Sequence, residues 1–593
     1  MSEKNEKLPT HKELEKELSS YLTKKYGDRI KIISPIVLPQ KETFEKDSED
    51  GDKSKGRAKI NFSIKPEELE AFLEQYVVQQ SDAKAILATK ICTHFNRIRY
   101  AQTHIEEDEE NILGGIKNNI LLIGPTGVGK TYLIKLIANK IGVPFIKCDA
   151  TKFSETGYVG GDVEDIIRDL VREADDDIEL AECGIVYIDE IDKIAASPNL
   201  VGPDVSRAGV QRALLKPMEE TEVDLKTPHD PISMLQEIEQ YRKTGKRERR
   251  TVNTKNILFI MSGAFNALAE IIKKRTVHSV IGFGATIAKK KDNIDFLQYA
   301  KSEDLIEFGF ESEFIGRIPV VTSLTELSED DLYAILQNPN NPIILNKKRD
   351  FKAYDIDIKF ANKALRMLAK KGFAEQTGAR GLVSAIEKAL LIFEKKLPST
   401  EIKKFSVTEK VVKNPEKELK ALLAEPFDPK WDEILEKIKA EEKEAVKTYV
   451  TRNKEDLAQR HDITLSESQL ELIALCYASR AMDMPGVLKK VKSIYAHIKQ
   501  LEDYFMKSNG LQVRFDDEAR DFIASMIIQS KKTFGDFYKL LKGDFEYGFR
   551  LIQEKTGKQA FTITKKELEN PEQHLNDMIK KEYIDDITKD LEE

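Results

Sequence analysis

Four short apolar runs organise the first half of the chain. They are Ile120–Ile123, Pro144–Cys148, Ile185–Ile188 and Asn256–Met261. Short runs that are mostly apolar, without polar alternation, are typical of parallel strands buried on both faces. Helical patterns flank the first run, one covering Ser81–Tyr100 before it and another starting at Lys130 after it. This alternation predicts an α/β domain in which helices flank a parallel sheet.

A glycine-rich turn joins the first apolar run to the helical pattern that follows it. Gly124, Pro125, Thr126, Gly127, Val128, Gly129, Lys130 and Thr131 match the spacing G-x-x-x-x-G-K-[ST]. In this motif the backbone N–H groups cradle the β-phosphate, the lysine reaches the β and γ oxygens, and the hydroxyl can ligate Mg²⁺. Because a strand precedes the turn and a helix follows it, the turn predicts a phosphate-binding loop.

Two carboxylates, Asp189 and Glu190, end the third apolar run. The carboxyl ends of parallel strands share one edge of a sheet, so we expect both residues beside the phosphate loop. There Asp189 would orient the Mg²⁺ shell and Glu190 would polarise the attacking water. The fourth run ends in Ser262-Gly263, which brings another polar side chain to the same edge.

Composition excludes several classes of function. The chain has 593 residues, a net charge of −8 and 33% charged residues, so no basic field favours nucleic acid as the main partner. Neither a leader-like apolar segment nor a membrane-length apolar run is visible, which predicts a cytoplasmic protein without membrane contact. The four cysteines form no C-x-x-C pair, so we expect reduced thiols, no disulfides and no zinc site.

Several loop residues carry candidate chemistry outside the phosphate site. Tyr158 and Val159 stand between glycines in Gly157–Gly160, and Ile281, Gly282 and Phe283 form a second glycine-flexed segment. Arg317 lies between apolar neighbours, and Arg380 stands at a predicted helix start. The segment Thr227–Thr254 contains a basic run that would attract acidic substrates if it faced a channel.

Together these motifs resemble the HslU/ClpX branch of the AAA+ protein unfoldases, over roughly Pro66 to Leu397. The segments Gly124–Thr131, Phe145–Lys147, Ala150–Phe153 and Pro203–Arg212 look more like HslU, whereas Ile281–Phe283, Glu313–Arg317 and Gly378–Leu382 look more like ClpX. HslU carries a large insertion before its second carboxylate motif, but only a short segment separates Leu170 from Gly184. The resemblance therefore favours a ClpX-like architecture, here without the zinc-binding N-domain.

The resemblance implies a homohexameric ring that hydrolyses ATP with Mg²⁺ and pulls protein substrates through a central pore into a ClpP-like peptidase. Nucleotide binding falls to Gly124–Thr131, Tyr132, Val77, Val78 and the sensor-2 residue Arg380, and catalysis to Lys130, Asp189, Glu190 and Arg317. Thr131 and Asp189 would hold Mg²⁺. Arg317 would be the arginine finger that one subunit lends to the next. Gln79 stands where the family usually has glycine.

The same resemblance assigns roles to the two glycine-flexed loops. It implies that Tyr158 and Val159 grip the threaded polypeptide and that Ile281, Gly282 and Phe283 dock on the peptidase. Three alternatives remain at this point: a stand-alone remodelling chaperone, an HslU-like subunit paired with an HslV-like peptidase, and, from another class, a DNA-directed motor or an inert ATP-binding scaffold. The acidic balance disfavours the DNA motor, and an intact Glu190 disfavours the scaffold.

The chain continues well beyond the point where the family resemblance ends. Residues 405–416 are echoed by 561–572, and residues 356–360 by 511–515, at almost the same offset. These echoes predict repeats of the small domain. Asp462–Leu465 is a weaker echo that could begin a third copy. No arginine stands at the sensor-2 position in Met484–Gly486 or Phe534–Phe537, so the later copies should not sense nucleotide.

The expected fold class is α/β, with an AAA+ P-loop NTPase large domain, an α-rich small domain and a mainly helical C-terminal extension. We expect an N-terminal appendage and charged linker over 1–60, the large domain over 61–325, the small domain over 326–420 and the extension over 421–593. Adaptors could bind the N-terminal or C-terminal regions.

Overall fold

The computed structural model describes residues 63–103, 117–153, 162–196, 205–225, 250–278, 296–509, 512–529 and 560–570, with a few further positions between 535 and 573. The predicted appendage and linker, 1–60, lie outside these residues. No helix in these ranges is both long and apolar enough to cross a membrane.

Five parallel strands form the central sheet of the large domain. They are β1 (Ile120–Ile123), β2 (Phe145–Asp149), β3 (Ile185–Asp189), β6 (Leu258–Gly263) and β7 (Val320–Ser323), while β4 (Glu222–Asp224) and β5 (Thr251–Asn253) form a separate antiparallel pair. Their order in the sheet is β2-β3-β6-β1-β7. The register pairs Asp149 with Asp189, and Ile123 with both Gly263 and Ser323. The carboxyl ends of all five strands therefore meet at one edge, as the sequence predicts.

Nine helices of the described large domain surround or extend this sheet. They are α1 (Pro66–Tyr76), α2 (Ser81–Thr103), α3 (Lys130–Ile141), α4 (Glu164–Glu173), α5 (Ile178–Glu182), α6 (Val205–Met218), α7 (Leu268–His278), α8 (Ser302–Phe308) and α9 (Ser312–Gly316). Helix α1 starts with a proline and two acidic residues, which suit the first turn of a helix. Helix α3 ends at Ile141, and the next residue, Gly142, terminates it by adopting the left-handed conformation with a φ of 84°.

Alternate strand residues face two different cores, because successive side chains of a strand point to opposite faces. Leu122, Tyr187 and Ile260 pack with helices α1, α2 and α3. Their neighbours Leu121, Val186 and Met261 pack on the other face with α4, α6 and α7. Helices thus cover both faces of the sheet, and the predicted α/β class is confirmed.

The small domain follows directly after β7 and is built mainly from helices. Its elements are α10 (Glu329–Gln337), α11 (Pro342–Lys352), β8 (Asp357–Phe360), α12 (Asn362–Ala374), α13 (Ala379–Lys396), β9 (Lys404–Val407), α14 (Glu409–Lys413) and α15 (Pro415–Ala424). Strands β8 and β9 pair in parallel, with Ile358 opposite Phe405. Ser328 and Asp331 form a capping box at the start of α10.

The described C-terminal extension has its own hydrophobic core. Its elements are α16 (Pro429–Arg452), α17 (Lys454–His461), α18 (Glu467–Ser479), α19 (Met484–Asn509), β10 (Gln512–Phe515), α20 (Asp517–Gln529), β11 (Ala560–Ile563) and α21 (Lys565–Glu569). The core joins α16 to α21 and includes one small-domain residue, Leu345. The extension is therefore a folded part of the molecule rather than a tail.

From Ser466 onward the extension has the element order of the small domain. Two helices, a strand, further helical residues, a second parallel strand and a short helix follow one another in both regions. Ser466 and Gln469 form a capping box at the start of α18, as Ser328 and Asp331 do at α10. The echo at Asp462–Leu465 lies just before α18, so it opens the same module as β10 and β11 rather than a third one.

Candidate active site

The phosphate loop connects β1 to α3 at the carboxyl edge of the sheet. Gly127 and Gly129 have φ angles of 82° and 97°, which a glycine adopts without the strain that a Cβ would add. Lys130 Nζ donates hydrogen bonds to the carbonyl oxygens of Gly124 and Pro125, at 2.6 and 2.8 Å. Burial lowers the pKa of Lys130, and the nearby Asp189 partly offsets this shift. The ammonium group is thus held within the curve of the loop.

Two other segments lie against the phosphate loop and leave no room for a side chain on Gly124 or Gly127. A Cβ on Gly124 would lie 2.7 Å from the carbonyl oxygen of Leu324, the residue that follows β7. The Leu324 N–H in turn donates a 2.7 Å hydrogen bond to the carbonyl of Ile123. A Cβ on Gly127 would lie 2.0 Å from the carbonyl oxygen of Thr377 in the small domain. The loop therefore contacts both the interdomain connection and the small domain.

Asp189 lies at the centre of a hydrogen-bond network that crosses three strands. The Ser262 hydroxyl donates to Asp189 Oδ1 at 2.6 Å, and the Tyr187 hydroxyl donates to Ser262 Oγ at 2.6 Å. Lys147 Nζ forms a 2.7 Å ion pair with Asp189 Oδ2. The Thr131 hydroxyl lies 3.2 Å from the Tyr187 hydroxyl and 3.5 Å from Asp189 Oδ2. The network connects the phosphate loop to the carboxylate predicted to orient Mg²⁺.

The network also sets the protonation state of its members. Burial alone would raise the pKa of Asp189, but the hydrogen bonds from Lys147 and Ser262 outweigh it and hold that pKa below its ordinary value. Burial raises the pKa of Tyr187 to about 12, so this hydroxyl stays protonated and donates a hydrogen bond to Ser262. Asp189 is therefore a deprotonated carboxylate surrounded by hydrogen-bond donors.

The oxygen groups of Thr131 and Asp189 fit the preference of Mg²⁺ for hard ligands. A nucleotide would supply further oxygens, because Mg²⁺ is usually held by one or two protein groups together with phosphates and water. Among the described residues there is no group of three or more His, Cys, Asp or Glu side chains placed to hold a metal ion. Cys92, Cys148, Cys183 and Cys476 are free thiols.

Glu190 follows Asp189 in an unusual backbone conformation. Its φ of 56° is left-handed, and its N–H donates to Asp189 Oδ1 at 3.1 Å. Left-handed non-glycine residues often occur at functional sites, where the surrounding structure holds them. The Glu190 side chain is exposed at the edge of the sheet where the phosphate loop lies.

Arg380 approaches the site from the small domain. It is the second residue of α13, whose first residue, Ala379, donates a backbone hydrogen bond to the Gly127 carbonyl at 2.9 Å. Its charge acts on Lys130 and contributes to the lowered pKa of that lysine. The structure thus places Arg380 beside the phosphate loop of the same chain.

The segment predicted to lie beside the adenine follows α1. Val77 is buried, Val78 packs against the large-domain core, and the Val77 carbonyl accepts a 3.1 Å hydrogen bond from the buried Lys84 Nζ. Gln79 and Gln80 then have φ angles of 60° and 65°. This explains why the family usually has glycine at the position of Gln79: the backbone is left-handed there.

Tyr132 lies next to Thr131 and packs partly against the same core as Val78. Burial raises the pKa of Tyr132 to about 12, and the Tyr76 hydroxyl and the Asp483 carboxylate add to the shift. Tyr132 therefore lies near the end of α1, between the phosphate loop and the adenine-side segment.

Arg317 lies away from the phosphate loop of its own chain. Its carbonyl accepts a 2.9 Å hydrogen bond from Asn119, which precedes β1, whereas the phosphate loop follows β1. The guanidinium is half-exposed and pairs with Glu219 at 2.6 Å. Arg317 is thus at the amino edge of the sheet, on the surface.

The structure adds three residues to those that the sequence singled out as ligands or catalysts. They are Lys147, Tyr187 and Ser262. Ser262 was visible as the polar end of an apolar run, whereas Lys147 and Tyr187 look like ordinary strand residues. Tyr158, Val159 and the loop Ile281–Phe283 lie outside the described residues, as does nearly all of the basic segment 227–254.

Comparison with known proteins agrees with this geometry. Residues 116–321 match the family model described as an AAA domain of the Cdc48 subfamily, and residues 327–397 match that of the C-terminal, D2-small domain of ClpB protein. The chain is 39% identical over 379 residues to the "ATP-dependent Clp protease ATP-binding subunit ClpX" of Borrelia duttonii (strain Ly), covering 63% of this chain and 84% of the relative. The protein of the same name from Treponema denticola is 40% identical over 330 residues, covering 55% and 75%.

Proposed function

Because the chain belongs to the ClpX family of AAA+ ATPases, we propose that it is an ATP-dependent protein unfoldase that works as a hexameric ring with a ClpP-like peptidase. The observation that carries the proposal is the connection of Thr131, Ser262 and Asp189 across the sheet edge, beside Lys130. Such an edge can bind a triphosphate and its metal ion, and it can orient water for hydrolysis.

Each residue of the site has a role that its position allows. Lys130 contacts the phosphates, Thr131 and Asp189 hold Mg²⁺, and Glu190 acts as the general base toward water. Bound Mg²⁺ neutralises charge on the phosphate oxygens. Arg380 contacts the nucleotide from the small domain. The ammonium group of Lys130 gives up its two carbonyl contacts when it turns to the phosphates.

The test of the ATPase site is Glu190→Gln in the full chain. We expect it to bind ATP with little change and to lose nearly all hydrolysis, since the amide cannot accept a proton. Glu173→Gln removes an exposed carboxylate at the end of α4 and should leave both properties unchanged. Hydrolysis by Glu190→Gln at the wild-type rate would refute the assignment of the base.

The proposed threading activity rests on Tyr158 and Val159, whose sequence resembles the pore loop of the family. Tyr158→Ala should preserve ATP hydrolysis and slow the unfolding of a tagged fluorescent protein, because Tyr158 would touch substrate rather than nucleotide. Tyr158→Phe keeps the aromatic ring and is the matched control. An equal loss of hydrolysis and unfolding in Tyr158→Ala would contradict the pore assignment.

The peptidase partner rests on Ile281, Gly282 and Phe283. Phe283→Ala should abolish ATP-dependent degradation in the presence of a ClpP-like peptidase and leave unfolding intact. Degradation with an HslV-like peptidase instead would indicate the HslU-like pairing. Unfolding without association with either peptidase would indicate a stand-alone remodelling chaperone.

The extension fits a duplicated small domain that has lost contact with nucleotide. Beyond the shared element order, Phe393 stacks on Phe405 at 4.6 Å between ring centroids, and Phe549 stacks on Phe561 at 4.5 Å. The phenylalanines of each pair are in corresponding places of the two modules. The first module contacts the phosphate loop through Gly378 and Ala379. We expect the second module to serve interactions other than nucleotide sensing, including adaptor binding.

A further inference from the structure

The extension is fastened firmly to the small domain. Glu442 of α16 is largely shielded from solvent and forms ion pairs with two buried lysines of the small domain, Lys348 and Lys359, the latter at 2.8 Å. These attractions hold the pKa of Glu442 below its ordinary value despite its burial. Breaking such a set would leave a buried charge without a partner, which is strongly unfavourable. The extension and the small domain therefore move as one body.

The same extension also reaches the large domain, at helix α1. We call this contact the α1 seam. In it, Asp456 and Arg460 of the extension contact Glu68, Phe72 and Gln75 of α1, and the charge of Asp483 acts on Tyr76. Gln75 Nε2 donates a hydrogen bond to Asp456. The Arg460 guanidinium lies 5.6 Å from the centroid of the Phe72 ring and donates to the Glu68 carbonyl at 3.3 Å.

Tyr76 forms the end of the seam nearest to the nucleotide site. Burial raises the pKa of Tyr76 to about 12, and the Asp483 carboxylate acts in the same direction. The next residues along the chain, Val77 and Val78, form the segment predicted to lie beside the adenine. Asp483 also acts on Tyr132, which follows the phosphate-loop threonine. The seam thus ends one residue before the adenine-side segment.

One small-domain residue, Asn340, connects all three regions. Its Nδ2 group donates to the Gln75 carbonyl at 3.3 Å and to the Tyr449 hydroxyl of α16 at 2.8 Å. Its Oδ1 accepts from the N–H of Met484 at 3.2 Å. Asn340 is buried, so each of these contacts excludes competing water. Large domain, small domain and extension therefore meet at the last turn of α1.

The two attachments of the extension differ in kind. The small-domain side is an ion cluster around two buried lysines, and the small-domain residue Leu345 packs into the core of the extension. The α1 seam is polar, and Arg460 Nε, which is buried there, has no hydrogen-bond partner among the described residues. An unsatisfied donor makes the seam less stable than a fully paired one. When the two domains separate, the seam should part first.

We propose that the α1 seam is a latch through which the extension positions the adenine-side segment and slows the release of bound nucleotide. This inference rests on the proposed nucleotide site. The nucleotide lies between groups of the large domain, such as Lys130, and of the small domain, such as Arg380. Its release requires these groups to separate, and the extension must then leave α1. Asp456 and Arg460 are positioning residues, because they act on the nucleotide through α1.

The test compares nucleotide release in full-length variants. Asp456→Ala/Arg460→Ala should raise the dissociation rate of N-methylanthraniloyl-ADP and the KM for ATP by about threefold to tenfold, the effect of losing one or two hydrogen bonds, with kcat unchanged or higher. Asp456→Asn keeps an oxygen that can accept from Gln75 and should restore most of the wild-type rate. Arg520→Ala removes an arginine that pairs only inside the extension among the described contacts, with Glu502 and Asp517, and is the matched control.

Two results would overturn the latch. One is that the double variant folds and melts at a lower temperature, but releases the labelled ADP at the wild-type rate and has the wild-type KM. This result would indicate a purely structural seam. The other is an equally faster release in Arg520→Ala, which indicates a general effect of the extension. Failure of the nucleotide site itself would appear differently, as a wild-type chain that binds no nucleotide or as Lys130→Ala binding it normally.

Discussion

The N–H of Ala379 donates a 2.9 Å hydrogen bond to the carbonyl oxygen of Gly127, so the first residue of α13 is bound to the middle of the phosphate loop. For this bond to form, the backbones of the two domains must come so close together that no side chain fits between them. Gly127 permits this approach, since a Cβ there would lie 2.0 Å from Thr377 O.

This contact predicts different costs for two substitutions in one loop. Gly127→Ala and Gly129→Ala both place a Cβ on a residue with positive φ, but a Cβ at Gly129 meets nothing within 4 Å. We expect Gly127→Ala to lower the unfolding free energy of the nucleotide-free chain by about 2 kcal/mol more than Gly129→Ala, as overpacking does in cores. Thermal and denaturant unfolding of both variants measures the difference. Equal losses would show that the docking contact contributes nothing.

A second prediction concerns the pH dependence of hydrolysis. Ser262 and Lys147 hold the pKa of Asp189 below its ordinary value. Ser262→Ala removes one of these donors, so the pKa of Asp189 should rise and the acid limb of kcat/KM should move to higher pH. Ser384→Ala, which removes a similar hydroxyl–carboxylate bond to Glu375 in the small domain, is the control. An acid limb unchanged by Ser262→Ala would mean that Asp189 does not control that limb.

A third prediction follows from the position of Arg317 at the amino edge of the sheet. Arg317→Ala should reduce ATP hydrolysis by roughly 10³-fold, the lower end for arginine fingers, while each subunit still binds ATP. Rings mixed from Arg317→Ala and Lys130→Ala subunits should regain part of the activity, because a Lys130→Ala subunit can lend its arginine to a neighbour.

The control for this mixing experiment is a chain that carries both substitutions. Mixing Arg317→Ala with the Arg317→Ala/Lys130→Ala chain provides no arginine, so activity should stay at the level of Arg317→Ala alone. Recovery in this mixture, or none in the first, would argue against an arginine supplied between subunits.

A fourth prediction concerns stability in mild acid. His94 Nε2 lies 2.9 Å from the Asn256 carbonyl, and burial lowers the pKa of His94 to about 4. Between pH 4 and the ordinary value of 6.5 the unfolded chain binds more protons than the folded one, so the unfolding free energy should fall as the pH falls through this window. The full effect is about 3 kcal/mol.

His94→Gln tests this origin of the acid sensitivity. Its amide can still donate to the Asn256 carbonyl but does not titrate, so the variant should lose less stability than the wild type between pH 6.5 and 4. Denaturant unfolding at several pH values measures the slopes. Identical slopes in the two chains would assign the acid sensitivity to other groups.

The sequence predicts the parts of this site that depend on one strand and the turn after it. The phosphate loop and the pair Asp189-Glu190 are of this kind, because an apolar run followed by polar residues identifies the end of a buried strand. The family resemblance could then add Arg380, since its motif is local as well.

The contacts of Lys147 and Tyr187 could not be predicted in the same way. They depend on β2 and β6 lying on either side of β3. The order of strands in a sheet cannot be predicted from the sequence of any single strand. The left-handed backbone at Gln79 was indicated only by the family resemblance, which usually has glycine there, because glutamine itself gives no sign of positive φ. Asn340 is the extreme case, since its three partners lie far from it in the sequence, one in the large domain and two in the extension.

The bond from Leu324 to Ile123 places the start of the interdomain connection at the end of the strand that carries the phosphate loop. A swing of the small domain about this connection would therefore pivot next to the phosphate loop. An atom close to a pivot must rotate through a larger angle than an atom far from the pivot to move the same distance. A small movement at this connection would therefore displace most strongly those parts of the extension that lie furthest from it.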